Sequence, residues 1–318
     1  LAEACANSGV LFVGPDAETL RKQGDKVSAR SLALTAGVPT LNGSGPDASA
    51  AEIHAFFDAQ GAMPLMIKAV NGGGGRGMRV VRTHDDIDTG FAQAQAEAKS
   101  AFGDGALYAE RFLPSVRHIE VQIVGDGQNV THLWERDCSV QRRHQKVIEL
   151  APAPHLASAT RTAILEAAIA IGRACSYRGL GTVEFLLEQT GSFYFIETNP
   201  RIQVEIQLAL ASGASLADVG LDQPPVLPTG FSLQTRITTE TLGPDGTFLP
   251  TGGKLTTYNA PSGPGVRIDG YAYSGYSTNP NFDSLLAKLI VHEKSGDLVR
   301  LFAKAERALS EFQIDGLD

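Results

Sequence analysis

This sequence of 318 residues has few cysteines, no long apolar run and no excess of basic residues. Its three cysteines, Cys5, Cys138 and Cys175, form no CxxC pair. An odd, scattered set is no disulfide framework, so we expect buried thiols in a reducing compartment. No apolar stretch approaches the ~20 residues of a membrane span, and we find no basic, apolar leader. These absences predict a cytoplasmic protein.

The charge balance narrows the possible functions further. The chain has 27 basic and 35 acidic side chains and a net charge of −8, which argues against a general nucleic-acid binder and against an anionic membrane as partner. A small anionic ligand stays possible, because it needs only local positive charge. The length predicts about two domains of ~150 residues each. Because the chain begins at Leu1 rather than Met, we expect it to be part of a longer polypeptide.

Hydrophobic periodicity and capping residues predict α/β character at the start of the chain and antiparallel hairpins later. Gly9–Val13 is expected to be a buried strand and Leu41–Ser49 a linker. Helices are expected over Ala17–Gln23, Asp25–Ala36, Ala50–Gln60, Asp85–Lys99, Ala159–Ser176 and Gly296–Phe312, and strands over Pro64–Ala69, Met78–Val81 and His118–Val124. The predicted domains are an α/β region at 1–39, a small α+β unit at 40–112 and a larger region with antiparallel hairpins at 113–318.

The segment Asn71–Gly77, with the sequence Asn-Gly-Gly-Gly-Gly-Arg-Gly, is the strongest local signal. Glycines allow positive φ and let backbone N–H groups approach an anion. Walker and Rossmann loops lead from a strand into a helix, whereas predicted strands lie on both sides of this loop. We therefore expect a hairpin lid over a triphosphate, with Lys68 reaching phosphate oxygens. A flexible surface linker is the alternative.

The segment Thr182–Glu197 has the pattern of two apolar strands around a turn at Thr190-Gly191. A two-residue turn places Glu184 opposite Glu197, and a four-residue turn at Gln189–Ser192 keeps the same register, whereas a three-residue turn would misalign them. Directly opposed like charges destabilise a strand pair, and a divalent cation such as Mg²⁺ would remove that penalty. Asn199 lies two residues beyond Glu197 and so points to the same face. The alternative is an exposed face with two solvated glutamates.

Three further segments carry basic or polar residues that could belong to a binding site. The basic run Gln141–Lys146 stands out in an acidic protein, although such runs are usually solvated surfaces. His118 lies on the polar side of an alternating strand, where a lone histidine is more often structural. Arg201, Gln203 and Glu205 share one side if their segment is extended, so the arginine could hold a carboxylate-like anion and the glutamate could act as a base. By pattern alone, a surface Arg–Glu pair is the simpler interpretation.

Taken together, three of these segments resemble biotin carboxylase: Lys68–Arg79, Glu135–Lys146 and Glu197–Glu205. The sequence Gly24-Asp-Lys26 before them and Gly263–Arg267 after them make the resemblance specific, and it covers nearly the whole chain. It implies the ATP-grasp fold, in which two α+β units hold the nucleotide between them. The expected architecture is a partial N-terminal α/β domain, a small glycine-lid domain and a larger C-terminal domain with an antiparallel sheet.

The resemblance also implies roles for individual residues. ATP would be contacted by Lys26, Lys68, Gly74, Gly75, Glu110, Leu113, His118, Gln141, His144, Glu184 and Glu197. Glu184, Glu197 and Asn199 would hold the metal ions, and bicarbonate would be bound by Lys146, Arg201, Gln203 and Val204. Glu205 would be the base and Arg267 would stabilise the biotin enolate, so that the expected catalytic residues are Lys146, Arg201, Glu205 and Arg267.

The chain departs from the family pattern in two places. The family's opening Gly-rich strand–helix turn and its Asn-Arg-Gly-Glu stretch are not found here, so residues 1–39 are predicted to be a remnant of that domain. After Glu205 the family continues with a histidine and a helix containing Thr and Glu, whereas here Ile206–Gly213 follows at once. A short segment is therefore expected to be absent, which changes the expected surroundings of Glu205.

The function implied by the resemblance is carboxylation of biotin, through carboxyphosphate, by a ligase that uses ATP, bicarbonate and Mg²⁺ (or Mn²⁺). Biotin would arrive on a carboxyl carrier domain or protein, and a carboxyltransferase would complete an acyl-CoA or pyruvate-type carboxylase, as in fatty acid metabolism. A homo-oligomer is also expected. The alternatives are another ATP-grasp ligase, such as a carbamoyl phosphate synthase half, or a non-catalytic ATP-binding assembly module.

Overall fold

The computed structural model describes residues 1–71, 77–142, 145–200, 204–223, 225–244, 248–279, 281 and 283–317, and only the backbone of residues 200, 204 and 205. These residues divide into two compact units. Unit 1 contains the described residues of Leu1–Glu135 and His155–Val226 together with Gln145; unit 2 contains those of Arg136–Arg142, Lys146–Pro154 and Leu227–Asp318. The predicted domain boundaries near residues 39 and 112 both fall inside unit 1 and stay a prediction.

Unit 1 begins with three helices, α1 (Ala2–Asn7), α2 (Ala17–Gly24) and α3 (Lys26–Thr35). The last two match the predicted helices because aspartates cap them: Asp16 accepts from the N–H of Thr19 at 2.7 Å, and Asp25 caps α3. The predicted strand at Gly9–Val13 is wrong. Gly9, at φ +65°, is the left-handed residue that ends α1, and the N–H of Val10 bonds back to the carbonyl of Cys5 at 2.8 Å. This is a Schellman helix end, which satisfies carbonyls that a strand would leave unpaired.

Residues 40–112, named the lid subdomain after the role predicted for them, contain an antiparallel sheet covered by two helices. Its strands are β1 (Leu65–Ala69), β2 (Met78–Val81) and β3 (Leu107–Arg111), in the order β2-β1-β3, and its helices are α4 (Ala50–Ala59) and α5 (His84–Phe102). Capping boxes at Ser49/Glu52 and Thr83/Asp86 start the two helices. Both helices bury their apolar faces against the strands in one core that includes Ile53, Phe57, Leu65, Ile67 and Ile87. The predicted α+β character of this segment is confirmed.

The rest of unit 1 is built on three antiparallel strands. They are β4 (Val116–Asp126), β7 (Arg178–Glu188) and β8 (Phe193–Pro200), with β7 paired to both of the others. The strand β5 (Val130–Arg142) begins in this unit, and the helices are α6 (Ser158–Ala174) and α7 (Val204–Ala211). The turn that follows β4 covers residues 127–129, and the carboxylate of Asp126 accepts from the N–H groups of Gln128 and Asn129 at 2.9 and 2.7 Å.

Unit 2 is dominated by antiparallel strands. Its main pairings follow the order β13-β15-β9-β6, from the strands β13 (Val266–Gly270), β15 (Leu285–Glu293), β9 (Phe231–Thr238) and β6 (Gln145–Ala151). The smaller strands are β10 (Glu240–Leu242), β11 (Phe248–Pro250), β12 (Gly253–Asn259), β14 (Ser277–Thr278) and β16 (Gln313–Leu317). The helix α8 (Leu298–Ser310) buries Leu301, Ala305 and Ala308 against Leu233 and Leu289. The predicted final helix is thereby confirmed.

Of the helices in the described part of the chain, none combines the length and the apolar character that crossing a membrane requires.

Candidate active site

The β7–β8 hairpin places two glutamates side by side. Glu184 pairs directly with Glu197, as predicted. The predicted two-residue turn is wrong, however, because the N–H of Glu188 bonds to the carbonyl of Ser192 at 2.8 Å, which leaves three residues in the turn. The register shifts again between Glu184 and Phe185. This β-bulge inserts one residue into β8 and restores the alignment that the longer turn would have destroyed.

Polar neighbours hold the two glutamates. The Nε2 atom of His118, on β4, lies 2.5 Å from Oε2 of Glu184. The amide nitrogen of Asn199 donates to Oε1 of Glu184 at 2.7 Å and to Oε1 of Glu197 at 3.2 Å. Glu184 is only 2% exposed, and a buried carboxylate requires such donors or a cation to offset its desolvation. His118 therefore contacts the site directly, in contrast to the structural role that its pattern alone favoured.

This donor set fits a magnesium ion. Mg²⁺ prefers oxygen ligands and is commonly bound through one or two carboxylates together with substrate phosphates. Glu184 and Glu197 supply two carboxylates on one face of the hairpin, and Asn199 lies between them. The side-chain amide of Asn199 now directs its nitrogen at both carboxylates. Turning that amide by half a rotation would present its oxygen instead.

Two lysines bring positive charge to the same region. Lys68 on β1 is 8% exposed, and its ammonium donates to the carboxylate of Glu110. Burial is the largest single influence and acts to lower the pKa of Lys68, but the charges of Glu110, Tyr108 and Glu197 and the hydrogen bond to Glu110 together outweigh it, so that the pKa is raised. At the first residue of α3, the pKa of Lys26 is lowered by burial and by the positive charge of Lys68, against the opposing influence of Glu197. Lys26, Lys68, Glu110 and Glu197 thus form one electrostatic group.

Residues 39–49 form a segment that includes the predicted linker, Leu41–Ser49, and its first residues contact both β8 and β3. The N–H of Phe195 on β8 bonds to the carbonyl of Pro39 at 2.8 Å, and Thr40 pairs with Phe195. Gly43 then forms a bridge to Glu110 on β3, where a Cβ atom would lie 3.1 Å from the carbonyl oxygen of Ala109. The start of this segment therefore ties β3 to β8, which a flexible linker would not do.

Several predicted site residues lie elsewhere in the described structure. Leu113 is buried in unit 1, just beyond β3. Gln141, Lys146 and Arg267 belong to unit 2, where Lys146 is buried and Gln141 donates to the carbonyl of Cys138 at 2.9 Å. The guanidinium of Arg267 is 70% exposed and contacts the two carboxylate oxygens of Asp269 at 2.8 and 2.5 Å.

Other predicted residues fall outside the description. Gly74, Gly75, His144, Arg201 and Gln203 lie outside the described residues, and so does the central part of the predicted glycine lid. Val204 and Glu205 are described by their backbone alone, in the first turn of α7. The extended conformation considered for residues 201–205 therefore does not hold for its last two residues.

The site includes one residue that the sequence reasoning did not single out. Thr182 is 1% exposed and pairs with Asn199 across the hairpin, on the same face as Glu184. Its hydroxyl is buried and has no hydrogen-bond partner within the described part of the chain. The signal was present in the sequence, since residues two apart on a strand share a face.

Known protein families match both halves of the chain. Residues 25–221 match the ATP-binding domain of the carbamoyl-phosphate synthase L chain, and residues 234–318 match the biotin carboxylase C-terminal domain.

The mitochondrial pyruvate carboxylase of Homo sapiens is 43% identical over 333 residues, an alignment that covers 99% of this chain and 28% of that protein. The chain thus spans little more than a quarter of the length of this curated relative. Because 333 exceeds the 318 residues of the chain, the relative carries residues without a counterpart here.

Solved structures give the same result for the fold. The biotin carboxylase of Campylobacter jejuni, in complex with beta-gamma-ATP, superposes with a TM-score of 0.91 at 40% identity and covers 100% of this chain and 72% of that one. The biotin carboxylase domain of 2-oxoglutarate carboxylase from Hydrogenobacter thermophilus, a dimer in complex with MgADP, ADP and bicarbonate, gives a TM-score of 0.91 at 34% identity with the same coverage. These matches confirm the predicted ATP-grasp fold and do not favour a carbamoyl phosphate synthase half. The chain belongs to the biotin carboxylase family.

Proposed function

We propose that this chain catalyses the ATP- and bicarbonate-dependent carboxylation of biotin, the first half-reaction of a biotin-dependent carboxylase. The observation that carries this proposal is the group of Glu184, Glu197, Asn199 and Lys68 in unit 1, which combines a metal-binding carboxylate pair with a buried ammonium. The match of residues 234–318 to the biotin carboxylase C-terminal domain supports biotin as the acceptor.

Nucleotide binding would use residues from several elements of the chain. Lys26 and Lys68 would neutralise phosphate charge, a role supported by the influence of Glu197 on the pKa of both ammonium groups and of Lys68 on the pKa of Lys26. The other proposed ATP contacts are Gly74, Gly75, Glu110, Leu113, His118, Gln141, His144, Glu184 and Glu197. Glu184, Glu197 and Asn199 would hold Mg²⁺ or Mn²⁺, which neutralises phosphate charge when bound.

The chemistry then requires a base and an anion site. Glu205 would remove the proton of bicarbonate while Arg201, Lys146, Gln203 and Val204 hold the anion. The bicarbonate oxygen attacks the γ-phosphorus of ATP, the bond to ADP breaks, and carboxyphosphate forms. Carboxyphosphate separates into CO₂ and phosphate, and phosphate accepts the N1′ proton of biotin as the new N–C bond forms. In phosphoryl transfer of this kind, positioning and charge stabilisation supply most of the catalysis.

Arg267 would act at the second stage. An arginine guanidinium is always charged and can hold a planar oxyanion through two parallel hydrogen bonds. Its two bonds to Asp269 show that it adopts this geometry toward a carboxylate in the present structure. We assign to it stabilisation of the biotin enolate, for which it would exchange Asp269 for the enolate oxygen.

The partners follow from the reaction. Biotin would be presented by a carboxyl carrier domain or protein, and a carboxyltransferase would pass the carboxyl group to its final acceptor. The acceptor is decided by that partner, and relatives of this chain include a pyruvate carboxylase and a 2-oxoglutarate carboxylase. We propose a homo-oligomer, since the 2-oxoglutarate carboxylase domain was solved as a dimer. The cytoplasmic location stays a prediction, because the human relative is mitochondrial.

The test is release of ADP by the purified chain. We expect ADP release that requires both Mg²⁺ and bicarbonate, and transfer of labelled bicarbonate to free biotin. ATP binding without bicarbonate-dependent ADP release would instead identify a non-catalytic ATP-binding module. ADP release without any carboxylation of biotin would point to another ATP-grasp ligase.

A further inference from the structure

Four side chains on the surface of the lid subdomain contact one another in a continuous row. His54 and Asp58 lie on α4, and His84 and Asp88 lie on α5. The Nδ1 atoms of the two histidines are 2.7 Å apart, and their rings are nearly parallel, at 7°. On the outer sides, Nε2 of His54 lies 3.1 Å from Asp88, and Nε2 of His84 lies 2.9 Å from Asp58. The order is therefore carboxylate, imidazole, imidazole, carboxylate.

The hydrogens of these four side chains are too few to give every contact in the row a donor. An ionised carboxylate only accepts hydrogen bonds, so each Nε2 must carry a hydrogen and donate it outward. A neutral imidazole has only one N–H, which leaves both Nδ1 atoms as lone pairs facing each other at 2.7 Å. Two acceptors repel at that distance. An electropositive species between His54 and His84, either an added proton or a metal cation, would remove this repulsion.

The charge at this position favours a divalent cation. Asp58 and Asp88 contribute two negative charges, which a single proton would balance only by half and a divalent ion would balance fully. Three more exposed acidic side chains, Glu52, Asp85 and Asp86, lie in the first turns of the same two helices. Histidines that bind metals almost always donate their second N–H to a carboxylate or a carbonyl. His54 and His84 both have that outer partner.

The two rings are also held in place. The edge of the buried Phe57 ring contacts the His84 ring, with 5.1 Å between centroids and 75° between planes. Both helices are anchored in the lid core through Ile53 and Ile87, each with no exposed surface. Metal–nitrogen bonds of about 2.0–2.1 Å in a tetrahedral site separate the two nitrogens by roughly 3.4 Å. The histidine side chains, 28% and 49% exposed, can open by that amount.

We propose that His54 and His84 form a second metal site, for a divalent transition metal of the zinc class, with water completing the coordination. Imidazole nitrogen suits Zn²⁺, Cu²⁺ and Ni²⁺ rather than Mg²⁺. The site goes beyond the proposed function, because it joins α4 to α5 on the lid subdomain, and in the described part of the chain the four side chains contact no residue assigned to catalysis. Its effect would be to tie the two helices together.

The test is Zn²⁺ binding by the 318-residue chain, measured by equilibrium dialysis. A Glu184→Gln/Glu197→Gln double variant serves as the background, because it removes the carboxylate pair that could also take Zn²⁺. We expect one Zn²⁺ per chain that is lost in His54→Gln and in His84→Gln, and a rise in unfolding temperature with Zn²⁺ that these variants lack. The control His155→Asn alters another exposed histidine, whose φ of +54° suits asparagine, and should leave binding intact.

A second pair of variants tests the outer carboxylates without removing a ligand. Asp58→Asn and Asp88→Asn should each weaken Zn²⁺ binding by about 10- to 100-fold, as loss of an outer partner to a ligating histidine typically does. Both aspartates are exposed, at 65% and 74%, so these variants should fold. In the double-variant background, Zn²⁺ binding of equal strength with and without His54→Gln or His84→Gln would overturn the proposal. Bicarbonate-dependent ADP release is independent of this result.

Discussion

Glu184 and Arg267 carry opposite charges in opposite surroundings, although the same resemblance assigns both to the active site. Glu184 is 2% exposed and is held by His118 and Asn199 from neighbouring strands. Arg267 is 70% exposed and contacts Asp269, two residues along its own strand. The glutamate is fixed before any ligand arrives, whereas the arginine stays in water beside a partner that can be replaced.

The difference in burial indicates how strongly the partners of each residue affect the stability of the fold. A buried carboxylate is costly unless it is paired, so the surroundings of Glu184 have to be built with the fold itself. An exposed ion pair contributes little to stability, so Arg267 can leave Asp269 with little loss. We therefore expect Glu184 to act in every turnover that uses the metal–nucleotide complex, and Arg267 only at the step that generates the biotin enolate.

The largest effect should follow removal of a metal-site carboxylate. Glu184→Gln or Glu197→Gln keeps the shape of the side chain but removes its charge. We expect bicarbonate-dependent ADP release to fall by at least about 10²-fold, as loss of preorganised charge stabilisation typically does. In calorimetry, the wild type should bind Mg²⁺ weakly alone and much more tightly with ADP, and the variants should lose this coupling.

A matched control lies on the same hairpin. Glu188→Gln makes the same change at the end of β7, where the carboxylate contacts Arg111 at 3.5 Å. Its activity should stay within a few-fold of the wild type, because the Glu188 carboxylate contacts Arg111 and Tyr194 rather than the paired glutamates. Equal losses in Glu188→Gln and Glu184→Gln would mean that the hairpin's overall charge matters rather than the paired site. Tight Mg²⁺ binding without nucleotide would also contradict the assignment.

The next largest effect should separate the two half-reactions. Arg267→Ala should lower biotin carboxylation by about 10²–10³-fold, the typical loss for one oxyanion donor. Bicarbonate-dependent ADP release should persist, since carboxyphosphate forms before biotin reacts. Both rates can be followed in one assay with labelled bicarbonate and free biotin.

Asp269→Asn is the control for this uncoupling. It removes the carboxylate that now holds Arg267 and leaves the guanidinium in place. Carboxylation should be retained or improved, because the carboxylate of Asp269 no longer competes with the enolate for Arg267. Parallel loss of ADP release and carboxylation in Arg267→Ala would show that the arginine supports the domain rather than the enolate.

The sequence predicted the elements better than the connections between them. Periodicity and caps located α2–α6 and α8 within a few residues, because local signals such as Asp16, Ser49 and Thr83 define where helices begin. Gly9–Val13 was wrong for the opposite reason. Its apolar residues resemble a strand, but its hydrogen bonds go back to α1, and no local rule distinguishes a helix end from a strand start there.

The site was predictable in composition but not in detail. Glu184 and Glu197 could be paired from spacing alone, yet the pairing succeeds because the three-residue turn and the β-bulge offset each other. The contact of His118 with Glu184 depends on β4 lying beside β7, although the two strands are about sixty residues apart. Such long-range neighbours are set by the whole fold and not by local pattern.

A smaller effect should show whether the preorganised hairpin includes Thr182. Thr182→Val removes a buried hydroxyl opposite Asn199 with almost no change in volume. The Thr182 hydroxyl could bond to the side-chain amide of Asn199 once the oxygen of that amide turns to the metal. In that case Mg–ADP affinity should fall by about 3- to 10-fold in the variant, the value of one hydrogen bond. Thr198→Val is the control, because Thr198 is equally buried but lies on the other face of β8. Equal affinities in the two variants would remove Thr182 from the site.

The smallest effect concerns an ion pair in unit 2, the unit that contains Arg267. Hydrogen bonds from Lys304 and from Ser295 lower the pKa of Glu293 from 4.5 to about 2. A depressed acid pKa stabilises the fold above the unfolded value, and the stabilisation is lost as the pH falls through the folded value. The unfolding temperature of the wild type should therefore exceed that of Glu293→Gln above pH 4.5, and the difference should disappear toward pH 2. Glu306→Gln on α8 makes the same charge change at an exposed position and should leave the unfolding temperature close to that of the wild type. A difference between the wild type and Glu293→Gln that stayed constant from pH 6 to pH 2 would show that packing, and not the charge of Glu293, stabilises this end of β15.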